Sequence, residues 1–357
     1  MTAFDRIRRF WRGKPAAVLQ TAAPMGRQRG VVDHVIILDG TFSSLDEGMQ
    51  SNAGLITQLL REGGPRAQRN VYYEPGQQWQ GWRHGWEIIQ GRGLDSQIRR
   101  AYGWLASHYR EGDRIFLFGY SRGAYAVRSL AGVIDRVGLL KREHATERGV
   151  TLVYRHYQND PGSQSSQAFA HRFCHNEAPI QMVGVFDTVK SLGLRWPLIW
   201  LLLPDKSSFH NHHLGSSIRH GFHALALNET RNAFAPVLWD CPPGWENAVQ
   251  QVWFRGAHGD IGGQIGSMQA ARPLSNIPLV WMLERAESVG LDLPPGWETR
   301  FPCNVNAPMV GTFKSWGKYF LFRHKRRVGQ DPSEHLHPSV MARAATDRRL
   351  AVFAGQN

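Results

Sequence analysis

Ser121 sits inside Gly119-Tyr120-Ser121-Arg122-Gly123, a G-x-S-x-G pattern whose serine can attack an acyl carbonyl when a sharp turn holds it at its tip. The bare pattern occurs by chance in many proteins, so its flanks decide what it means. Ile115 to Phe118 is a short apolar run suited to a buried parallel strand, and Ala124 to Ile134 recurs at helical spacing. A strand therefore turns abruptly into a helix at the serine. Glycines at 119 and 123 fit that turn, because a Cβ at either would collide with the crossing strand or helix. The amide of Arg122 and the helix N-terminus then face the space beside the Ser121 hydroxyl, where they can stabilise an oxyanion. The competing reading is a Ser-Gly turn that merely starts a helix.

A nucleophilic serine needs a base, and an acid to orient that base. Ile180 to Phe186 is a continuous apolar strand ending at Asp187-Thr188-Val189, and Gln251 to Arg255 is another, followed by Gly256-Ala257-His258-Gly259-Asp260. Asp187 is the expected acid, with a helix N-cap as its plainer alternative. His258 is the expected base, since its glycine-rich loop follows a strand and can carry the imidazole to Ser121. His337, beside Pro338-Ser339-Val340, competes for that role. Asp260 orients the histidine or caps a turn. The chain order Ser121, Asp187, His258 is that of α/β-hydrolases, and three residues just past strands gather at one sheet edge. His34 to Leu38 is a further strand that delivers Asp39-Gly40-Thr41 to the same edge. The backbone of Gly40 or Thr41 is the expected second oxyanion donor, with Asp39 on the same loop; a turn capping a helix over Asn52 to Arg61 is the alternative. This chemistry requires no metal and no organic cofactor.

Those loops need a scaffold. Asn70 to Glu74 reads as a strand and Leu94 to Tyr109 as an amphipathic helix. The alternation predicts an α/β fold, α/β-hydrolase-like, with a mostly parallel central sheet, helices on both faces, and cap or lid insertions. Residues 1–32 read as a basic segment and linker, and 33–357 as a single domain. Insertions are expected at about 138–178, polar and His-rich without strong periodicity, and at about 194–222; the C-terminal part is basic and aromatic. The histidines at 210, 212, 213 and 220 read as solvated loop, with adventitious metal binding as the alternative.

The chain has 357 residues, 42% of them hydrophobic, enough for a large core. A formal net charge of +13 favours encounter with polyanions, either an anionic membrane face or nucleic acid. Cys174, Cys241 and Cys303 are far apart and odd in number, which points away from a disulfide framework or zinc site and makes a reducing compartment the default. Met1 to Lys14 lacks the apolar core of a secretory signal; its Phe4, Ile7, Phe10 and Trp11 suit an interfacial anchor or a terminal helix docked on its own domain. Trp196 to Leu203 is too short to span a membrane and reads as an acyl-binding wall, a membrane-touching flap or a buried helix. The expected location is the cytoplasm of the producing cell, with non-classical secretion open. Phe313 to Arg327 interleaves aromatics with Lys and Arg, as a lipid interface, a single-stranded nucleic acid site or a core strand with solvated flanks would.

Five ordered blocks resemble the DUF2235 α/β-hydrolases: ILDGT at 37–41, GYSRGA at 119–124, VFDTVKSLG at 185–193, HALALNETRNAFAPVLW at 223–239 and VWFRGAHGDIGG at 252–263. A weaker block is His337-Pro338-Ser339-Val340. That family includes the catalytic domain of the Tle1-type phospholipase effectors of type VI secretion systems. The resemblance implies hydrolysis of an ester bond in a glycerophospholipid or similar lipid, with Ser121 as nucleophile, Asp187 as acid and His258 as histidine. Asn228 departs from it, standing where an aspartate is expected in most relatives and altering a helix-side salt bridge. An immunity protein, the usual partner of antibacterial effectors, is a further implication, and nucleic acid becomes the least favoured partner. Two other functions stay open: a soluble esterase or thioesterase on small acyl substrates, and a basic α/β scaffold that binds membrane or nucleic acid without catalysis.

Overall fold

The computed structural model describes residues 19–21, 30–41, 43–62, 68–76, 92–189, 214–241, 248–313, 320 and 322–344. Eight strands among them form one sheet: β1 (Leu19–Thr21), β2 (Asp33–Leu38), β3 (Arg69–Glu74), β4 (Arg114–Tyr120), β5 (Ile180–Phe186), β6 (Gly221–Ala226), β7 (Val249–Phe254) and β8 (Glu334–Leu336). Their spatial order is β1-β3-β2-β4-β5-β6-β7-β8, with β1 antiparallel at one edge and all other neighbours parallel. The expected α/β architecture, a mostly parallel sheet between two helical layers, is the one observed.

The central strands are apolar on both faces because helices cover both. Val35, Ile37, Phe116 and Phe118 face a core shared with α1 (Asn52–Arg61) and α7 (Arg272–Ser288). Ile36, Leu38, Ile115 and Leu117 face a second core under α2 (Arg92–His108), α3 (Arg122–Arg136) and α4 (Glu147–Asn159). The chain leaves β2 for β3 on one side and returns to place β4 on the other, so a crevice opens beyond the carboxyl ends of β2 and β4. Register then decides which residues meet there. Leu38 pairs with Gly119 and Tyr120 with Phe186, so Asp39, Ser121 and Asp187 leave the sheet side by side.

Two expectations change in detail. The stretch 138–178 is helical rather than irregular: α4 and α5 (Gln164–Phe173) start at Thr146 and Ser163, whose hydroxyls accept from Gly149 N and Ser166 N. Val150, Val153, Tyr154 and Tyr157 are the buried side of α4, packed on α2 and α3. Intervening Arg and His residues dilute that i, i+3, i+4, i+7 stripe in sequence. The supposed linker also contributes β1, which pairs with β3. Met1 to Lys14, Trp196 to Leu203 and the histidines at 210, 212 and 213 lie outside the described residues. Among the described residues no helix is long and apolar enough to cross a membrane.

Candidate active site

Ser121 follows β4 and precedes α3 with φ 58° and ψ −118°, a left-handed backbone that a non-glycine residue adopts only where its surroundings impose it. The surroundings here are backbone. A Cβ at Gly123 would lie 2.0 Å from Leu38 O, and one at Gly119 would lie 2.6 Å from Ala124 Cα. Strand, turn and helix can approach this closely only with glycine at both positions. Ser121 N donates to Phe186 O at 3.0 Å, which ties the turn to the neighbouring strand.

Asp187 leaves β5 in a similar left-handed conformation, φ 43°, and is fully buried. His258 begins the short helix α6 (His258–Gly262), reached from β7 through Gly256 at φ 135°. The imidazole stands between serine and aspartate. Its Nδ1 is 2.6 Å from Asp187 Oδ2 and its Nε2 is 2.8 Å from Ser121 Oγ. An ionised carboxylate only accepts, so Nδ1 carries the proton and donates it, and the Ser121 hydroxyl donates to Nε2. Burial alone would push the Asp187 carboxyl up, but the Arg326 guanidinium and the His258 hydrogen bond reverse that and hold it well below the usual carboxylate range.

Two aromatic rings pack against His258. Tyr120 lies 5.0 Å away, centroid to centroid, and Phe234 lies 4.8 Å away. Its backbone amide donates to Glu229 Oε2 at 3.1 Å, while Glu229 also binds Arg231 through both carboxylate oxygens. Burial and Arg231 act on Glu229 in opposite directions, and the pairing wins, keeping it below its ordinary value.

The remaining expected site residues divide by what they touch. Gly40 N donates to Asp39 Oδ1 at 2.7 Å and is thereby committed to its own turn. Asp39 Oδ2 accepts from Ser51 Oγ at 2.6 Å and from Tyr73 OH at 2.9 Å, and Ser51 caps α1, so Asp39 secures the loop and the helix behind it. Burial raises its pKa despite these donors. Gly40 nevertheless lies against the serine: a Cβ there would be 3.4 Å from Ser121 Cβ. Among the described residues no acceptor bonds the Thr41 amide, and the Arg122 amide opens α3. Asp260 accepts from Ala257 N at 2.8 Å and Val310 N at 2.7 Å, so it closes a turn and anchors a loop. Burial raises its pKa. His337 is not near Ser121. It stacks on Phe254 at 4.6 Å, and its Nδ1 accepts from Ser339 N as a cap for α8 (Pro338–Ala344). Burial pulls its pKa down to about 4.

Sequence reasoning missed Arg326, Glu229 and the aromatic walls. Arg326 sits among Arg323, Lys325 and Arg327, and nothing in that run marks one cation as buried. Glu229 lies in the block at 223–239, and Tyr120 is the first variable position of the serine motif. Asn228 clasps the loop before His258, with its Oδ1 accepting from Gly256 N at 2.9 Å and its own N donating to Gly256 O. His220 stacks on Phe222, and among the described residues no cluster of His, Cys, Asp and Glu could hold a metal ion.

A doubly covered parallel sheet with these loops at its carboxyl edge defines an α/β-hydrolase-like protein. The family described as "T6SS, Phospholipase effector Tle1-like, catalytic domain" matches residues 33–285, and the chain belongs to that family. An uncharacterized protein of Saccharomyces cerevisiae, YEL023C, is 32% identical over 161 residues, 42% of this chain and 22% of the yeast protein. Among solved structures, a Tle1 effector bound to the VgrG spike of the type VI secretion system is 19% identical, with a TM-score of 0.37, over 67% of this chain and 53% of that one. An uncharacterized protein from Pseudomonas aeruginosa is 15% identical, with a TM-score of 0.46, over 78% of this chain and 50% of the other. The chain thus spans about a fifth of the yeast relative and about half of either solved chain.

Proposed function

We propose that the protein is a serine hydrolase of carboxylic esters in lipids, a phospholipase in class, working through an acyl-enzyme on Ser121. The observation that carries this reading is the hydrogen-bonded line from Ser121 Oγ through the His258 imidazole to the buried Asp187 carboxylate, 2.8 Å and 2.6 Å long. In the first half-reaction Ser121 Oγ bonds to the ester carbonyl carbon as its proton passes to His258 Nε2. The carbonyl oxygen becomes an oxyanion facing the amides of Arg122 and Thr41. The tetrahedral adduct collapses, the C–O bond to the alcohol breaks, and the alcohol leaves with the proton from Nε2. Water then repeats the sequence on the acyl-serine and releases the fatty acid, regenerating Ser121.

Three features favour a lipid, and a phospholipid among lipids. The family itself is described by phospholipase effectors. Phe313 and Phe322 are exposed large apolar side chains, with Arg323 stacked over Phe313 at 3.8 Å and His324 and Lys325 exposed beside them. Arg323 Nε donates to Phe320 O at 3.0 Å, and the Phe320, Phe234 and His258 rings follow in contact, so Arg323 links the exposed Phe313 to the rings beside the serine. Arg122, next to the serine, has no carboxylate partner among the described residues, and burial pulls its pKa down to about 10. A substrate phosphate would offset that burial.

The test is fatty-acid release from phosphatidylethanolamine–phosphatidylglycerol vesicles by wild type and Ser121→Ala. Loss of release in the variant is expected. Equal release by both would overturn the serine mechanism, and turnover of short soluble esters without any release from vesicles would move the protein to the small-molecule esterases.

A further inference from the structure

The Asp187 carboxylate has every acceptor direction occupied. Oδ1 accepts from Arg326 Nη1 at 2.5 Å and from Ala226 N at 2.9 Å; Oδ2 accepts from His258 Nδ1 at 2.6 Å and from Arg326 Nη2 at 2.9 Å. Two parallel N–H groups from one planar guanidinium fix the plane of the carboxylate, and with it the direction of the bond to His258. Arg326 is itself buried and anchored, Nη1 donating to Ala226 O at 2.9 Å and Nη2 to Phe234 O at 2.6 Å. Orienting an acid needs only hydrogen-bond donors, which backbone amides can supply. A full positive charge on that acid does something more. When His258 takes the serine proton, the imidazolium forms beside a carboxylate whose charge is already shared, and it is stabilised less than by an unpaired one.

We infer that Arg326 is a positioning residue for the reaction: it orients Asp187 and, through its charge, sets the pH below which His258 stops acting as a base. The inference rests on the roles of Ser121, His258 and Asp187 proposed above. Other groups facing His258 are offset or turned elsewhere. Glu229, at its backbone amide, is paired with Arg231, which lies over Phe234. Asp260, on its own helix, binds the amides of Ala257 and Val310. The Tyr120 hydroxyl points to His258 O and Gln264 Oε1, each at 3.4 Å. His223, on β6 behind Asp187, accepts from Thr188 N and is kept neutral by burial, its pKa down at about 3. Arg326 is therefore the charge whose removal most changes the field along the Nδ1 direction.

The experiment measures kcat and kcat/KM for p-nitrophenyl butyrate across the acid and neutral range in wild type, Arg326→Met, Arg326→Gln and Arg326→Lys. With the cation gone, Asp187 favours the imidazolium, so the acid limb of kcat/KM moves to higher pH by about one unit in both neutral variants. Arg326→Lys keeps the charge but not the two-pronged grip. Its limb stays in place while kcat falls about tenfold or more. A limb that does not move in the neutral variants, whatever happens to kcat, reduces Arg326 to a structural part and overturns the inference. Should neither neutral variant fold, Arg326→Lys decides: wild-type kcat overturns the inference, and a tenfold fall with the limb in place upholds it. Ser121→Ala is assayed alongside, because ester hydrolysis surviving in it would sink the serine mechanism itself, independently of Arg326.

Discussion

Replacing Asp187 by Asn should cost this protein stability as well as turnover, in amounts that follow from the contacts at 187. Each carboxylate oxygen accepts from two donors, Ala226 N and Arg326 Nη1 on one side, His258 Nδ1 and Arg326 Nη2 on the other. An asparagine can present its NH2 to only one side, and on either side it meets two N–H groups. Two charge-assisted hydrogen bonds are lost and a buried guanidinium is left without its anion, a disruption of about 3–5 kcal/mol. The histidine tautomer is lost with them, for which a fall in kcat of about 10⁴-fold is the order of magnitude. Urea unfolding followed by far-UV circular dichroism, with the slope checked for constancy, measures the first effect; hydrolysis of a soluble ester measures the second. The pH dependence has a definite sign. Asp187 is depressed in the folded protein, so its contribution is fully present above the ordinary aspartate value of about 3.9 and is lost only as pH falls toward the folded value. The stability gap between wild type and variant should stay flat from neutral pH down to about pH 4 and close only in stronger acid. An Asp187→Asn protein within about 1 kcal/mol of wild type at neutral pH would refute the pairing on which this reasoning stands.

Two other predictions address the turn and the second histidine. Gly123→Ala places a Cβ 2.0 Å from Leu38 O, and clearing it to 3.0 Å requires the end of β2 and the start of α3 to separate by about 1 Å; a loss of about 3 kcal/mol and of Ser121 labelling by a fluorophosphonate is expected, and a wild-type melting temperature would contradict it. His337→Ala removes a helix cap and a ring stacked on Phe254, so thermal melting should fall by the equivalent of about 1 kcal/mol while kcat stays within about threefold; a collapse of kcat with an intact melt would return His337 to the chemistry.

Much of this protein is readable from its residues in order. The glycines around Ser121 predict the turn, since only a backbone without a Cβ on both flanks lets β4 and α3 cross so closely. Apolar runs place β2 and β5 to within a residue and β4 to within two, because a strand covered on both faces has no polar alternation to confuse its ends. The glycine-rich loop after an apolar strand made His258 the expected base over His337, while the three-residue β8 that precedes His337 is too short to show in the sequence. Register and loop path separate them: α6 turns one ring between Ser121 and Asp187, while β8 and α8 stack the other on the core. Arg326 was wholly a matter of tertiary structure. Its neighbours in the chain are exposed cations of the same kind, and what singles it out is a buried carboxylate 139 positions earlier whose desolvation its positive charge helps to offset. Local sequence thus determined which segments become strands, turns and helices, because those depend on neighbours a few residues away; which charges meet in the dry interior depends on how the sheet orders its strands, and that was decided only by the fold.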